Sequence, residues 1–337
     1  MSAQIKEEIE AQQTERTIFH PAPLATLEPE KGAHFDLYLA IPTPTGQRYV
    51  LYKSSELDFT RERCNYLLDR GVKNLYIADQ DAPAYFEFVD RTLSEKLNAP
   101  DVTPARRSQI LYTTTSALVQ ATFNRPDSPV LIKTNKTLVE HTLQTISNDP
   151  RIVRTMVAAF ASDYSLYTHS VNVSTLATGL LLEMKLGENK SITDIAMGYL
   201  LHDIGKTRVP SEVLMKTGIL TKQELSEIER HPLYGVDLMQ SHESIGPAAL
   251  SIIRTHHEKL DGSGYPYRLA ADKIPLETRI CSAVDIFDAL TSNRPYKKAM
   301  SGFDAIRLIM NHMSHELDKD IVSQMIHLLG PKRTAAV

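Results

Sequence analysis

Residues 256–266 read HHEKLDGSGYP, and this stretch decides the fold. Two adjacent imidazoles are followed at once by Gly262, Gly264 and Pro266, residues that permit and then fix a tight loop beside the paired nitrogen donors. About 50 residues upstream stands LLHDIGK at 200–206, where His202 and Asp203 close an apolar helical run and Lys206 follows Gly205. Further out lie His169 in YTHSVNVS, His231 in ERHPLYG and Asp285 in AVDIFDALTSNRPYKK. Nine of the twelve histidines fall at or beyond His169, and imidazole is the commonest side-chain metal ligand. Five imidazoles with Asp203 and Asp285 are donors enough for two divalent cations, with water or substrate completing the shells. With only Cys64 and Cys281, the chain supports neither a disulfide framework nor a thiolate cage, so nitrogen and oxygen must do the holding. Such a set favours Fe or Mn over structural Zn, and on softness alone it admits Zn and Ni.

Working outward, the region after Thr103 is poor in Gly and β-branched runs and carries helical spacing, as in ARRSQILYTTTSALVQATF. Asp127-Ser128-Pro129 and Asn148-Asp149-Pro150 punctuate it, the second marking the expected entrance to a C-terminal helical domain. Before Thr103 the pattern changes. FDLYLAI and QRYVLYK read as a hairpin, and DFTRERCNYLLDRG as a helix capped by Asp58 or Thr60 and stopped at Gly71. VKNLYIAD reads as a strand and APAYFEFVDRTLSEKL as a closing helix. The expected fold class is α+β: a polar, flexible segment over 1–30, a small ββαβα unit of regulatory or dimerising character over 31–98, a helical connector over 99–150, and an all-α domain over 151–337.

Together the two motifs and the outlying residues resemble the HD-GYP family, a branch of the HD superfamily of metal-dependent phosphohydrolases, over residues 151 to about 330. The resemblance implies an all-helical domain with a dinuclear centre that hydrolyses cyclic di-GMP to pGpG, or onward to GMP, by a metal-activated hydroxide. In the family's pattern Asp203 bridges the metals. His169, His202 and Asp285 then complete one site, and His231, His256 and His257 the other. Lys206, one helical turn after His202, is a candidate for contacting a phosphate oxygen or the hydroxide, and by the resemblance Arg294 and Lys297 bind substrate phosphate; Tyr265 is a candidate for stacking on guanine, with packing or partner contact as the competing reading. Members with three metals carry a Glu one helical turn before the first histidine. Here that position is Ser165, a poor ligand for a hard cation, so two metals are expected. Glu258 is a candidate for orienting a ligand imidazole, against the competing reading of a structural salt bridge.

Two other readings compete: an enzyme specific for cyclic GMP-AMP, and a weakly catalytic cyclic-dinucleotide module that docks GGDEF diguanylate cyclases through its GYP loop. Composition narrows the field. The net charge is −4, from 37 basic and 41 acidic side chains, which lacks the basic excess of a general nucleic-acid binder. No apolar run reaches membrane-spanning length and the start has no signal-peptide core, so the expected compartment is the cytoplasm. Helical connectors of this kind favour a homodimer.

Overall fold

The computed structural model describes residues 17–44, 46–159, 165–186, 191–293 and 298–330. It begins with strand β1 (Phe19–Pro23), a short 3-10 turn at Leu24–Thr26, and the hairpin β2 (Leu37–Thr43) and β3 (Gly46–Lys53). Helix α1 (Arg61–Asp69), strand β4 (Asn74–Ala78) and helix α2 (Ala82–Asn98) complete the unit. The sheet is antiparallel throughout, in the order β1-β4-β2-β3. Thr60 caps α1 by accepting a hydrogen bond from the Arg63 amide at 3.3 Å, and Gly71, at φ +73°, ends the turn after it.

The expectation of an unstructured lead-in over 1–30 needs correction from Phe19 onward. Pro21 and Pro23 look like strand breakers, but β1 is an edge strand paired only with β4, where a missing amide costs no second ladder. Ala22, Leu24 and Leu27 enter the core formed by Leu37, Leu75, Ile77, Tyr85 and Phe88. Residues 1–16 lie outside the described residues.

The helical body follows: α3 (Pro104–Asn124), α4 (Pro129–Asn148), α5 (Arg151–Ala159), α6 (Leu166–Glu183), α7 (Ile192–Leu201), α8 (Ser211–Leu214), α9 (Lys222–Ile228), α10 (His231–Met239), α11 (Pro247–Thr255), α12 (Leu276–Thr291), α13 (Gly302–His312) and α14 (Lys319–Leu329). Thr103 and Ser128 cap α3 and α4, each with proline in the first turn, as their sequences require. Helices α3 and α4 do not stand apart as a stalk. Val119, Phe123, Ile132 and Val139 share one core with Ala196, Met197, Leu200 and Leu201 of α7. Asn148-Asp149-Pro150 is therefore a turn between α4 and α5, and packing runs across it. Helix α4 also reaches the sheet: Val130 is buried in its core, and Ser128 Oγ lies 2.8 Å from Nδ1 of His20, whose Nε2 meets Asp79 at 3.0 Å.

Candidate metal centre

Helices α7 and α11 start side by side. The Asp194 carboxylate, in the first turn of α7, accepts hydrogen bonds from the amides of Gly246 (2.6 Å), Ala248 (2.9 Å) and Ala249 (3.3 Å) and so caps α11 as well. The helices are 10 and 9 residues long, so their C-terminal ends arrive level, with His202-Asp203 beyond one and His256-His257 beyond the other.

A helix C-terminus leaves carbonyls without intrahelical donors. Three histidines use them in the same way. His202 Nδ1 donates to Tyr199 O at 2.9 Å, His231 Nδ1 to Ile228 O at 2.8 Å, and His256 Nδ1 to Ile253 O at 3.0 Å, in each case three residues back. A carbonyl only accepts, so a proton sits on Nδ1, and in its neutral form each ring turns a bare Nε2 lone pair inward. Those lone pairs converge on Asp203, with Nε2-to-carboxylate distances of 3.5 Å from His202, 3.3 Å from His231 and 3.7 Å from His256. His231 and His256 face each other Nε2 to Nε2 at 3.2 Å.

His169, on α6, comes from the opposite wall. Its Nδ1 donates to Asp288 at 2.7 Å, and its Nε2 lies 3.1 Å from Asp285 and 3.6 Å from Asp203. Asn172, one turn on, donates to the other Asp288 oxygen at 2.9 Å. His257 Nδ1 stands 3.8 Å from Asp285. Asp203, His231, His256 and His257 can each present a donor atom within 4.8 Å of one another, and so can His169, His202 and Asp203. The structure thus brings together all seven residues singled out in the sequence, with Asp203 common to both groups.

The electrostatics make sense with cations and poorly without them. Asp203 Oδ1 and His202 Nε2 are buried and have no hydrogen-bond partner among the described residues, a cost of about 1–3 kcal/mol each if left so. Burial pushes His202 down to about 4 and also lowers His231 and His257, which keeps them neutral and ready to ligate. For His169 burial works the same way, but hydrogen bonds to Asp285 and Asp288 outweigh it and hold the ring up at about 10, a proton that a cation would displace. Burial opposes ionisation of Asp203, yet Lys206, 2.6 Å from Oδ2, and the surrounding imidazoles keep its carboxyl well below the usual range.

The donor set, the converging lone pairs and the orphaned buried atoms all fit divalent cations. An HD-domain family model matches residues 133–321 of the chain, more than half of its length. The chain belongs to the HD-GYP branch of the HD-domain family. A cyclic di-GMP phosphodiesterase of Pseudomonas aeruginosa is 32% identical over 193 residues, 57% of this chain and 46% of that protein. A cyclic di-GMP phosphodiesterase response regulator of Xanthomonas campestris pv. campestris is 44% identical over 123 residues, 36% of this chain and 32% of the relative. The matches span less than half the length of either relative. A solved HDG"Y"P protein from Bdellovibrio bacteriovorus superposes with a TM-score of 0.66 over 93% of this chain and all of that one, at 18% identity, and so shares the fold. Among the described residues, no helix is long and apolar enough to cross a membrane.

The HD-GYP loop itself is clamped to the site. A Cβ on Gly264 would lie 2.4 Å from Lys259 N and 2.5 Å from Glu258 Cα, so only glycine lets the loop lie against the histidine pair's own backbone. Among the described residues Glu258 bonds to no imidazole, and its role is structural. It is buried, and its two oxygens accept from the amides of Tyr267 (2.7 Å) and Leu269 (2.9 Å), pinning the loop exit. Asp288 and Asn172 were not singled out in the sequence. An aspartate three residues after Asp285 reads as ordinary helix polarity, and only the packing of α6 on α12 reveals its partner. Arg294 and Lys297 lie outside the described residues. Ser165 caps α6: its hydroxyl accepts from the Thr168 amide at 3.1 Å, and Thr168 Oγ1 accepts from the Ser165 amide at 2.8 Å.

Asp288→Asn keeps the shape but takes away the carboxylate that fixes His169. Divalent-metal affinity is expected to fall roughly 10–100-fold with little change in the metal-free melting temperature. Mn²⁺ titration followed by calorimetry checks it, and unchanged affinity would remove Asp288 from the centre.

Proposed function

We propose that this HD-GYP protein is a phosphodiesterase that opens cyclic di-GMP to pGpG at a centre of two divalent cations, Fe or Mn. The observation that carries the reading is the convergence of three Nε2 lone pairs, their Nδ1 protons committed to backbone carbonyls, on the buried carboxylate of Asp203. Asp203 with His169, His202 and Asp285 would hold one cation, and Asp203 with His231, His256 and His257 the other. Bound there, divalent cations neutralise phosphodiester charge and make water nucleophilic at neutral pH.

The chain's own groups have complementary tasks. Carbonyls and carboxylates keep the imidazoles in the ligating tautomer. The Lys206 ammonium, 22% exposed and already at the centre's edge, is placed to meet a phosphate oxygen of the substrate. Arg294 and Lys297 belong to this reading as anchors of the second phosphate. Two cations, rather than three, follow from Ser165, whose hydroxyl is engaged in capping; the linear dinucleotide is then the main product. The names of the curated relatives support the substrate, and a soluble cytoplasmic homodimer completes the reading.

The test is purification under reducing, anaerobic conditions, metal analysis, and chromatography of products from cyclic di-GMP and cyclic GMP-AMP. About two metal equivalents and accumulation of pGpG are expected. Tight binding of cyclic di-GMP without turnover in metal-loaded protein would instead establish a sensor.

A further inference from the structure

Four of the five imidazoles in the centre are oriented by a hydrogen bond from Nδ1: His202, His231 and His256 to carbonyls, and His169 to Asp288. The fifth is different. Among the described residues no hydrogen bond reaches the His257 ring, and its Nδ1 stands 3.8 Å from the Asp285 carboxylate. Its side chain is also 24% exposed, whereas the other four rings are at 1% or less. A ligand imidazole that is less enclosed than the others, and whose ring has no hydrogen-bond partner among the described residues, needs another device to hold its plane.

The loop supplies that device. The Tyr265 ring stacks on His257 with centroids 4.7 Å apart and planes at 29°, and meets His231 edge-on at 6.3 Å. The stack is enforced by the backbone. The Tyr265 amide donates to His257 O at 3.2 Å, Gly264 packs on the Glu258 backbone, and Glu258 grips Tyr267 and Leu269 beyond. Tyr265 makes no ring contact with His169 or His202 among the described residues.

We propose that Tyr265 is the positioning residue for His257, fixing by ring stacking the imidazole of the centre that no hydrogen bond among the described residues orients. This rests on the two-cation reading above and deepens it, because the effect is confined to one of the two sites. Stacking between aromatic rings carries free energy beyond simple area burial, and loss of a group that orients a ligand histidine typically weakens metal binding about 10–100-fold. The site built from Asp203, His231, His256 and His257 bears that loss, while the site built from His169, His202, Asp203 and Asp285 keeps its affinity. The stack uses the ring face and not the hydroxyl, so phenylalanine should serve.

The experiment strips the full chain with chelator and titrates it with Mn²⁺, reading the number and affinity of equivalents by calorimetry and electron paramagnetic resonance. Wild-type protein should bind two equivalents. Tyr265→Leu should weaken one of them by about tenfold or more and spare the other, and Tyr265→Phe should bind as wild type. The inference is overturned if Tyr265→Leu leaves both affinities intact, if it weakens both alike, or if Tyr265→Phe is as impaired as Tyr265→Leu. Wild-type protein that binds fewer than two equivalents overturns the two-cation reading itself and this inference with it; two equivalents in wild type with an unaffected Tyr265→Leu overturn the inference alone. The metal-free melting temperature of both variants separates a general loss of packing from the site-selective effect.

Discussion

Asp203→Ala should abolish turnover of cyclic di-GMP, by at least roughly a thousandfold, and strip the purified protein of metal. Asp203 is the one residue shared by both donor groups, 3.3–3.7 Å from four imidazole nitrogens and 2.6 Å from Lys206. Removing any single histidine leaves one group whole. Removing Asp203 takes from both groups the one carboxylate they share, and with it a negative charge, on a residue that is 1% exposed, that offsets bringing two cations into the centre. Asp203→Asn separates charge from shape: it fills the same space, keeps one carbonyl oxygen, and should lose nearly as much metal. The measurement is elemental analysis of protein purified from metal-supplemented medium, paired with product chromatography. Retention of both metal and activity by Asp203→Ala would dismantle the reading of this centre.

Why the seven residues were legible in the sequence, and their supports were not, follows from where each force acts. His202, His231 and His256 sit just past helix ends, where the free carbonyls that orient them are only three residues back, so the local spacing carries both ligand and support. The partners of His169 come from α12, more than a hundred residues away, and nothing near His169 announces Asp288. The partners of Glu258 were hidden for a related reason. They are backbone amides of Tyr267 and Leu269, and amides have no signature in a sequence. The hairpin, α1, β4 and α2 were readable from period and turn residues. Strand β1 was not, because an edge position excuses its prolines and only the finished sheet shows which strand is the edge. Likewise the spacing of α3 and α4 marked them as helices but could not say that their apolar faces enter the core of α7.

Gly205→Ala is expected to damage the centre without touching a donor atom. The 3-10 turn Ile204–Arg208, which follows Asp203, lies directly against α10, whose first residue is His231. A Cβ built on Gly205 would stand 1.9 Å from His231 O and 2.4 Å from Gly235 N, both backbone atoms that no rotamer change can move aside. Accommodating the methyl requires the turn and the helix to separate, and they carry the carboxylate and imidazole that lie 3.3 Å apart in the centre. Overpacking of this kind costs about 1–3 kcal/mol of stability, and displacement of a reacting group by about an ångström costs roughly a hundredfold in rate. The variant should therefore melt several degrees lower, bind Mn²⁺ more weakly at the site containing His231, and turn over cyclic di-GMP about a hundred times more slowly. Gly218→Ala is the comparison, since a Cβ there meets nothing within 4 Å; it should leave all three measurements near wild type. If Gly205→Ala matched Gly218→Ala in melting temperature, metal affinity and rate, the spacing between Asp203 and His231 would not depend on this contact. The glycine of the HDIGK stretch would then owe its place to something other than the approach of the two backbones.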